Sequence, residues 1–400
     1  MTKGRVYQDP QFRYVDSYSG REIVRLTDYL GHSNHFYFTD PCWFNNNRSF
    51  FFMSDRENQS NLFRYDLDGG TITQLTDFKT AGQSRGCWSE ANKRLYYWRG
   101  HTIIELDPET FEERTIYEAP PDTEPEARAN PTADGKYLIT RLQEHIPEDR
   151  PSISFAYSRF HEMFHRKPLT KIIRVEVATG KMEVILEDKC YITHINTSHA
   201  LPEIMTYCHE GPWHLVDQRI WGLNVVTGET WKVRPQDDGL NLAVGHEYWF
   251  ADGKRIGYHG FPRDKHDSMG EHVFGYINWD NSGHVEVRFP YRSTHFQSLD
   301  ENIIVGDGSP AAVFSHQGVA QPFIQLFKWT GEEYVGPRIL AYHRSTFNNQ
   351  YAHPHPRFTP DGKYVLYSSD LTDYANMYMV EVGNFEDLPV LTDEVRPRHT

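Results

Sequence analysis

The sequence predicts an all-β chain folded as a seven-bladed β-propeller, with a short helical insertion in the third blade. Three observations lead there: a strand-and-turn unit that recurs seven times, a second kind of hairpin between its copies, and an aromatic content suited to sheets. The 400 residues include 24 Phe, 24 Tyr and 9 Trp, side chains that favour strands and cross-strand packing. Length alone, at roughly 100–200 residues per domain, would allow two or three domains. The repeat instead extends over residues 1–400 as one propeller, with several unrelated β-sandwiches as the alternative.

The elements follow in order. The opening segment FRYVDSYSGREIVRLTD, from Phe12, reads as a second hairpin without its first, and is expected to complete the last blade, which would close the ring and remove an open edge. The repeated unit is a small or aromatic residue, a short polar turn and an alternating aromatic and β-branched strand. It begins at Cys42 (CWFNNNRSFFFMSD), Cys87 (CWSEANKRLYYWRG) and Asn130 (NPTADGKYLITR). Weaker copies start at Asn196 (NTSHALPEIMTYC) and His246 (HEYWFADGKRIGYHG), and the last two at His295 (HFQSLDENIIVGDG) and His355 (HPRFTPDGKYVLYSSD). Their Asp-Gly and Asn-Asn centres suit tight turns that need positive φ. Between them lie NLFRYDLDGGTITQLTD, TIIELDPETFEERTIYEA, KIIRVEVATGKMEVILED, RIWGLNVVTGETWKV, HVFGYINWDNSGHVEVRF and FIQLFKWTGEEYVGPRIL. Two hairpins per unit make a four-stranded blade, and the spacing of roughly 42 to 68 residues surrounds the ~40–50 of typical blades.

The longest gap holds SISFAYSRFHEMFHRK, residues 152–167, where Phe155, Phe160, Met163 and Phe164 recur at helical spacing and Pro168 ends the run. This is the predicted helical insertion. It contains His161-Glu162-Met163-Phe164-His165, a literal H-E-x-x-H, in which two imidazoles at i and i+4 could hold zinc while the glutamate activates water. Three facts oppose a zinc peptidase. With 21 His in the chain, chance matches are common. Pro168 cuts the helix short with no third ligand at a familiar spacing, and the surroundings are a β repeat. A surface helix with two polar histidines is the plainer reading.

Charge and cysteine content narrow the function. Lys and Arg number 41 against 55 Asp and Glu, a formal net charge of −14. Such a field repels phosphate, so nucleic acid and anionic membrane are excluded as general partners, and an anionic ligand needs a local positive site. Cys42, Cys87, Cys190 and Cys208 form no CxxC pair, as expected of reduced thiols in the cytoplasm. No apolar run approaches the ~18 residues of a membrane span.

Several of the histidines sit at or just before the first strand of a blade, where a propeller directs the chain toward its channel: His246, His295, His353 and His355. In HPHP the two imidazoles stand at i and i+2, on one side of an extended chain, so His353 and His355 can grip one ion. Pro354 and Pro356 stiffen the element, and Gln350 just upstream could add an amide oxygen. Three imidazoles and an amide carry no negative charge, so a divalent ion held by them keeps nearly its full charge for a bound anion; imidazole suits zinc, copper, iron or nickel alike. A structural turn is the alternative. A second element joins Cys208-His209-Glu210-Gly211-Pro212-Trp213 to Val216-Asp217-Gln218-Arg219-Ile220-Trp221. Arg219 is either a clamp for a carboxylate, whose geometry a guanidinium matches with two parallel bonds, or the partner of Asp217.

CHEGPW, VDQRIW, GHEYWFADG, the lone His295 before the VGDG stretch from Val305 to Gly308, and QYAHPHPRFTPDG together resemble the oligogalacturonate lyases, polysaccharide lyases of the cytoplasm built on a seven-bladed propeller. The resemblance runs from the N-terminal hairpin to the HPHP blade and includes the inserted helix, which in that family does not keep H-E-x-x-H. It implies a manganese ion (Mn2+) on His295, Gln350, His353 and His355, His246 as the Brønsted base, Arg219 beside the reacting sugar and His209 near the substrate. The run YRSTHFQSLD around His295 and the FNNQY segment before HPHP depart from the family's pattern, which bears on sugar specificity.

The implied reaction is β-elimination at a 4-linked uronic acid: the C5 proton leaves, the C4 oxygen is expelled, and a 4,5-unsaturated uronide remains. The neighbouring carboxylate resists enolate formation, so it must be neutralised and a base placed within reach of the proton. The expected function is therefore cleavage of short oligogalacturonides, an acidic oligosaccharide substrate. The rivals are a lyase of another uronide and a non-catalytic propeller scaffold. A prolyl-oligopeptidase type of hydrolase is set aside, because the propeller repeat fills the chain with no hydrolase domain expected after it, and the G-x-S-x-G match from Gly82 to Gly86 lies inside that β repeat.

Overall fold

The computed structural model describes residues 2–78, 85–147, 157–264, 272–310 and 321–392. Seven antiparallel sheets succeed one another along the chain and make a seven-bladed β-propeller. In blade 1, Ser33–His35 and Trp43–Phe44 both pair with Ser49–Ser54, and Asn61–Asp66 and Thr71–Gln74 follow outward. Blade 2 runs Gly86–Ser89, Arg94–Arg99, Thr102–Leu106, Glu113–Glu118. Blade 3 sets Thr123–Pro125 and Asn130–Pro131 against Tyr137–Glu144, then Leu169–Glu176 and Met182–Lys189. Blade 4 is Ile192–Thr197, Ile204–His209, Ile220–Asn224, Thr230–Lys232, and blade 5 Leu242–Trp249, Arg255–Pro262, His272–Asn278, Val285–Phe289. Blade 6 is Phe296–Ser298, Ile303–Gly306, Phe323–Trp329, Tyr334–Tyr342.

Blade 7 is built from both ends of the chain. Arg357–Phe358, Tyr364–Thr372 and Tyr374–Glu381 supply the inner strands, Glu22–Arg25 pairs with Tyr374–Glu381, and Phe12–Val15 lies outermost. One element was not foreseen. Val6–Tyr7 pairs with Thr71–Gln74 on the outer edge of blade 1, so the first 25 residues straddle the first and last blades. A strand of two residues carries no readable alternation, and only the meeting of the blades gives Val6–Tyr7 its partner.

The turns follow the chemistry of their residues. Gly135, Gly253 and Gly362 take positive φ (68°, 63° and 72°) and donate their N–H to Thr132, Phe250 and Thr359 three residues back. Asn45, Asn46 and Asn47 adopt the same left-handed region in blade 1. Aromatic layers fill the spaces between blades: Phe50, Phe51, Phe52, Phe63 and Tyr65 in one cluster, and Phe274, Phe289, Phe296, Phe327 and Tyr334 in another, all buried.

The helix α1, Tyr157–Arg166, lies between the second and third strands of blade 3. The N-terminal part of the predicted 152–167 insertion, through residue 156, falls outside the described residues. Lys167, at φ 47°, and Pro168 end the helix. His161 and His165 are exposed, Glu162 is paired with Arg166 at 3.0 Å, and the buried face is Met163. No described helix is long and apolar enough to cross a membrane.

Candidate active site and metal centre

The inner strands converge on the axis, and at one mouth they bring together histidines distant in sequence. His295 stands immediately before Phe296–Ser298 of blade 6, and His353 and His355 just before Arg357–Phe358 of blade 7. Their ring centroids lie 4.3 Å (His295 to His355), 5.5 Å (His295 to His353) and 5.3 Å (His353 to His355) apart. One nitrogen from each falls within 4.8 Å of the others, and all three rings are buried. HPHP is not the plain extended element expected from its spacing: His353 is extended, whereas His355 takes φ 42°, and this reversal completes the convergence.

Two of the rings, His295 and His353, are oriented by a bond on the far side. Asp307, within the VGDG stretch and fully buried, accepts from His295 Nδ1 at 2.6 Å and from the His295 backbone N–H at 2.8 Å. His295 Nε2 therefore keeps a bare lone pair toward the cluster. Burial works against the Asp307 charge, but His295 overrides it and holds the carboxyl below its usual range. His353 Nε2 bonds to the Phe347 carbonyl at 3.2 Å, which leaves His353 Nδ1 without a partner, and His355 Nε2 is likewise unpartnered. Burial first, then the neighbouring imidazoles, pushes His353 down to about 4 and His355 well below the ordinary histidine value. Buried, unpaired, uncharged nitrogens that share one point fit a transition-metal ion. Gln350 opens the short 3-10 turn Gln350–Ala352, half-buried, directly ahead of His353, and Asn349 caps that turn.

His246 faces this cluster. The inner strand of blade 5 carries a bulge between Gly245 and Tyr248, and His246 inside it takes φ 50°, which turns its ring toward the axis. The ring lies 4.8 Å from that of His295, and Nδ1 is 2.9 Å from His259 Nε2. Burial, then His295, His259 and Arg219, pushes His246 well below the ordinary value, so it is neutral at neutral pH.

Arg219 lies beside it. Its guanidinium stacks 5.0 Å from the Trp213 ring, which in turn packs 4.9 Å from His246. Gly245 is required here: a Cβ would stand 2.5 Å from Arg219 Nε. The carboxylate that Arg219 meets is Glu210, gripped by both terminal nitrogens, with the Nη2–Oε2 contact at 3.2 Å. The pairing with Asp217 is thus corrected: residues 216–219 form no strand, and only the packing of two neighbouring strands of blade 4 brings Glu210 against Arg219. Burial weighs against the Glu210 charge, and Arg219 and then His194 overcome it, pushing Glu210 down to about 2.

His209 is not brought to the cluster. It closes the second strand of blade 4 on the face opposite Cys208 and Glu210, with its ring 4.9 Å from Trp221 and Nε2 3.7 Å from Asp188. Burial lowers its pKa. His161 and His165 also stay apart: among the described residues the converging groups are His295–His353–His355 and His194–Cys208–Glu210.

Some residues of the mouth escaped the sequence reading. His194, on a bulge of blade 4 with φ 52°, stacks 6.3 Å from His246 and lies 3.6 Å from Glu210 and 3.5 Å from Glu247. It precedes the Asn196 from which the weak blade 4 copy was counted, so an alignment shifted to YITHINT would have found it. His259, within the GYHG of the blade 5 copy, had no signal of its own. Tyr37 and Phe38 form the floor, with Tyr37 4.9 Å and Phe38 6.1 Å from the His355 ring. Beyond them a cavity of about 500 Å³ opens at the other end of the axis, lined by residues such as Trp43, Trp88, Asn130, Asn196 and Tyr248.

Comparison with known proteins agrees with this architecture. The family model described as oligogalacturonate lyase matches residues 1–385. The chain belongs to the oligogalacturonate lyase family. An oligogalacturonide lyase of Pectobacterium atrosepticum is 29% identical over 397 residues, with 96% of this chain and 98% of the relative covered. An oligogalacturonate lyase of Dickeya dadantii is 27% identical over 396 residues, with 96% and 98% covered. Two solved structures share the fold: an oligogalacturonate lyase in complex with manganese (TM-score 0.81, 24% identity, 95% of this chain and 98% of that one) and one from Vibrio parahaemolyticus (TM-score 0.83, 24% identity, 96% and 99%).

Proposed function

We propose that this member of the oligogalacturonate lyase family cleaves short oligogalacturonides by β-elimination, with His246 as the base. The observation that carries the reading is the placement of a neutral, inward-turned imidazole 4.8 Å from a cluster of buried, unpartnered histidine nitrogens. His295, His353 and His355, with Gln350 beside them, would hold a divalent ion, manganese by kinship with the solved complex. When bound, such an ion neutralises the uronate carboxylate and makes the C5 proton more acidic.

The protein's own groups supply the rest. With the shared proton on His246 Nδ1 and donated to His259 Nε2, His246 Nε2 is left as a free acceptor for the C5 proton. As that bond breaks, its electron pair forms the C4–C5 double bond and the C4 oxygen departs. Arg219, held in place by Glu210 and Trp213, stands beside His246 with its Nε–H unpartnered, a donor for the sugar ring. Tyr37 and Phe38 pack against the His355 ring and give the site an apolar wall. The four cysteines are free, which suits a cytoplasmic site of action.

The test is His246→Ala assayed on digalacturonate by the absorbance of the 4,5-unsaturated product. A loss of about 10²–10⁴-fold in kcat is expected for a positioned base. Unchanged kcat would remove His246 from the role.

A further inference from the structure

The groups at the mouth occupy equivalent places in the repeat. Arg85, Arg128, His246 and His355 each stand four residues ahead of the residue that opens the blade's tight turn, Ser89, Thr132, Phe250 and Thr359. By the same count blade 1 contributes Asp40 and blade 4 His194, and blade 6 contributes His295 one residue nearer its turn. Each blade thus sends one polar side chain to the axis. Most are engaged: Arg128 with Asp40 at 3.0 Å, His194 between Glu210 and Glu247, His246 with His259, and His295 with Asp307.

His355 is left to the metal cluster, and Arg85 is the one cation of the set that makes no ion pair among the described residues. Its guanidinium lies 6.0 Å from the Tyr37 ring, and the same ring is 4.9 Å from His355. Arg85 and the candidate metal ligand His355 thus share one aromatic neighbour. The carboxylates that act on Arg85 through space are committed elsewhere, Asp40 to Arg128 and Glu126 to Arg141 at 3.0 Å. Burial, then the like charge of Arg128, holds Arg85 below the ordinary guanidinium range. A half-buried guanidinium short of counter-charge in the mouth of an acidic protein is a site for an anion.

A galacturonide chain carries one carboxylate on every ring, and the metal cluster accounts for only one of them. We infer that Arg85 binds the carboxylate of the sugar ring adjoining the one that is eliminated, so that the site reads two successive uronates. This rests on the lyase reading given under Proposed function.

The experiment compares the parent protein with Arg85→Gln and Arg85→Lys. Binding of digalacturonate, and of digalacturonate methyl-esterified on its non-reducing ring, is measured by calorimetry in a His246→Ala background. KM and kcat are measured by absorbance with His246 intact, and manganese per chain by elemental analysis. Loss of the Arg85 contact is expected to weaken digalacturonate about 10- to 100-fold, through KM rather than kcat. Arg85→Lys should lie between. The single ester should weaken binding to the Arg85 protein and make no difference to Arg85→Gln. Parent-like affinity in Arg85→Gln, an ester penalty that persists without Arg85, or loss of manganese from the variant would each overturn the assignment. Absorbance tests the lyase reading and calorimetry tests Arg85, so failure of one is distinguishable from failure of the other.

Discussion

Asp307→Asn is the most searching perturbation of the metal centre, because it changes one proton position and almost no volume. Asp307 accepts from His295 Nδ1 at 2.6 Å and from the His295 N–H at 2.8 Å, and also meets the Ser293 hydroxyl at 3.2 Å. The carboxylate obliges His295 to carry its proton on Nδ1 and to present Nε2 to the cluster. An asparagine has one acceptor oxygen, which the backbone N–H can claim, leaving an NH2 to face the ring. That NH2 donates to Nδ1, moves the imidazole proton to Nε2, and blocks the ligand lone pair. Substitutions of such outer partners typically lower metal affinity about 10–100-fold, which corresponds to about 1.4–2.7 kcal/mol. Manganese titration in competition with a chelator, read by electron paramagnetic resonance of the free ion, measures the loss directly. Circular dichroism on the same samples shows whether the propeller is intact. A folded Asp307→Asn protein that binds manganese within twofold of the parent would refute the argument that Asp307 sets the tautomer of His295.

Arg219→Met takes from buried Glu210 its bidentate partner and leaves it His194 at 3.6 Å and the Thr193 hydroxyl at 2.8 Å, so urea denaturation should show a loss of about 3–5 kcal/mol, more than Glu210 and Arg219 removed together. Because Glu210 is held at about 2, against an ordinary 4.5, its contribution is complete above pH 4.5 and fades as pH falls toward 2; stability of Glu210→Gln measured across that window should lack this part of the slope. Removing residues 1–25 strips Phe12–Val15 and Glu22–Arg25 from blade 7 and bares the edge of Tyr374–Glu381, so size-exclusion chromatography should show self-association, and a monodisperse parent-like peak would count against that edge. Double substitution of the exposed His161 and His165 by Gln should leave manganese stoichiometry and lyase activity unchanged, and a loss of bound metal would reopen the H-E-x-x-H reading.

What the sequence alone determined was everything encoded within about one blade. The strands, their Asp-Gly turns and the Gly-containing second hairpins follow from alternation and from residues that accept positive φ, and these act over a few positions. The same repeat put His295, His353 and His355 just ahead of inner strands and His246 within one, on the side of the channel. Tertiary structure decided which faces meet. Glu210, not Asp217, receives Arg219 because two adjacent strands of blade 4 set their registers. His209 turns away because successive residues on a strand face opposite sides. Val6–Tyr7 finds Thr71–Gln74, His35 Nε2 bonds to the Pro354 carbonyl at 3.3 Å, and Arg85 is left without a counter-ion, only because the ring closes. Local sequence fixes backbone and turn, whereas contacts spanning hundreds of residues arise from packing seven blades around one axis, and no short-range pattern records them.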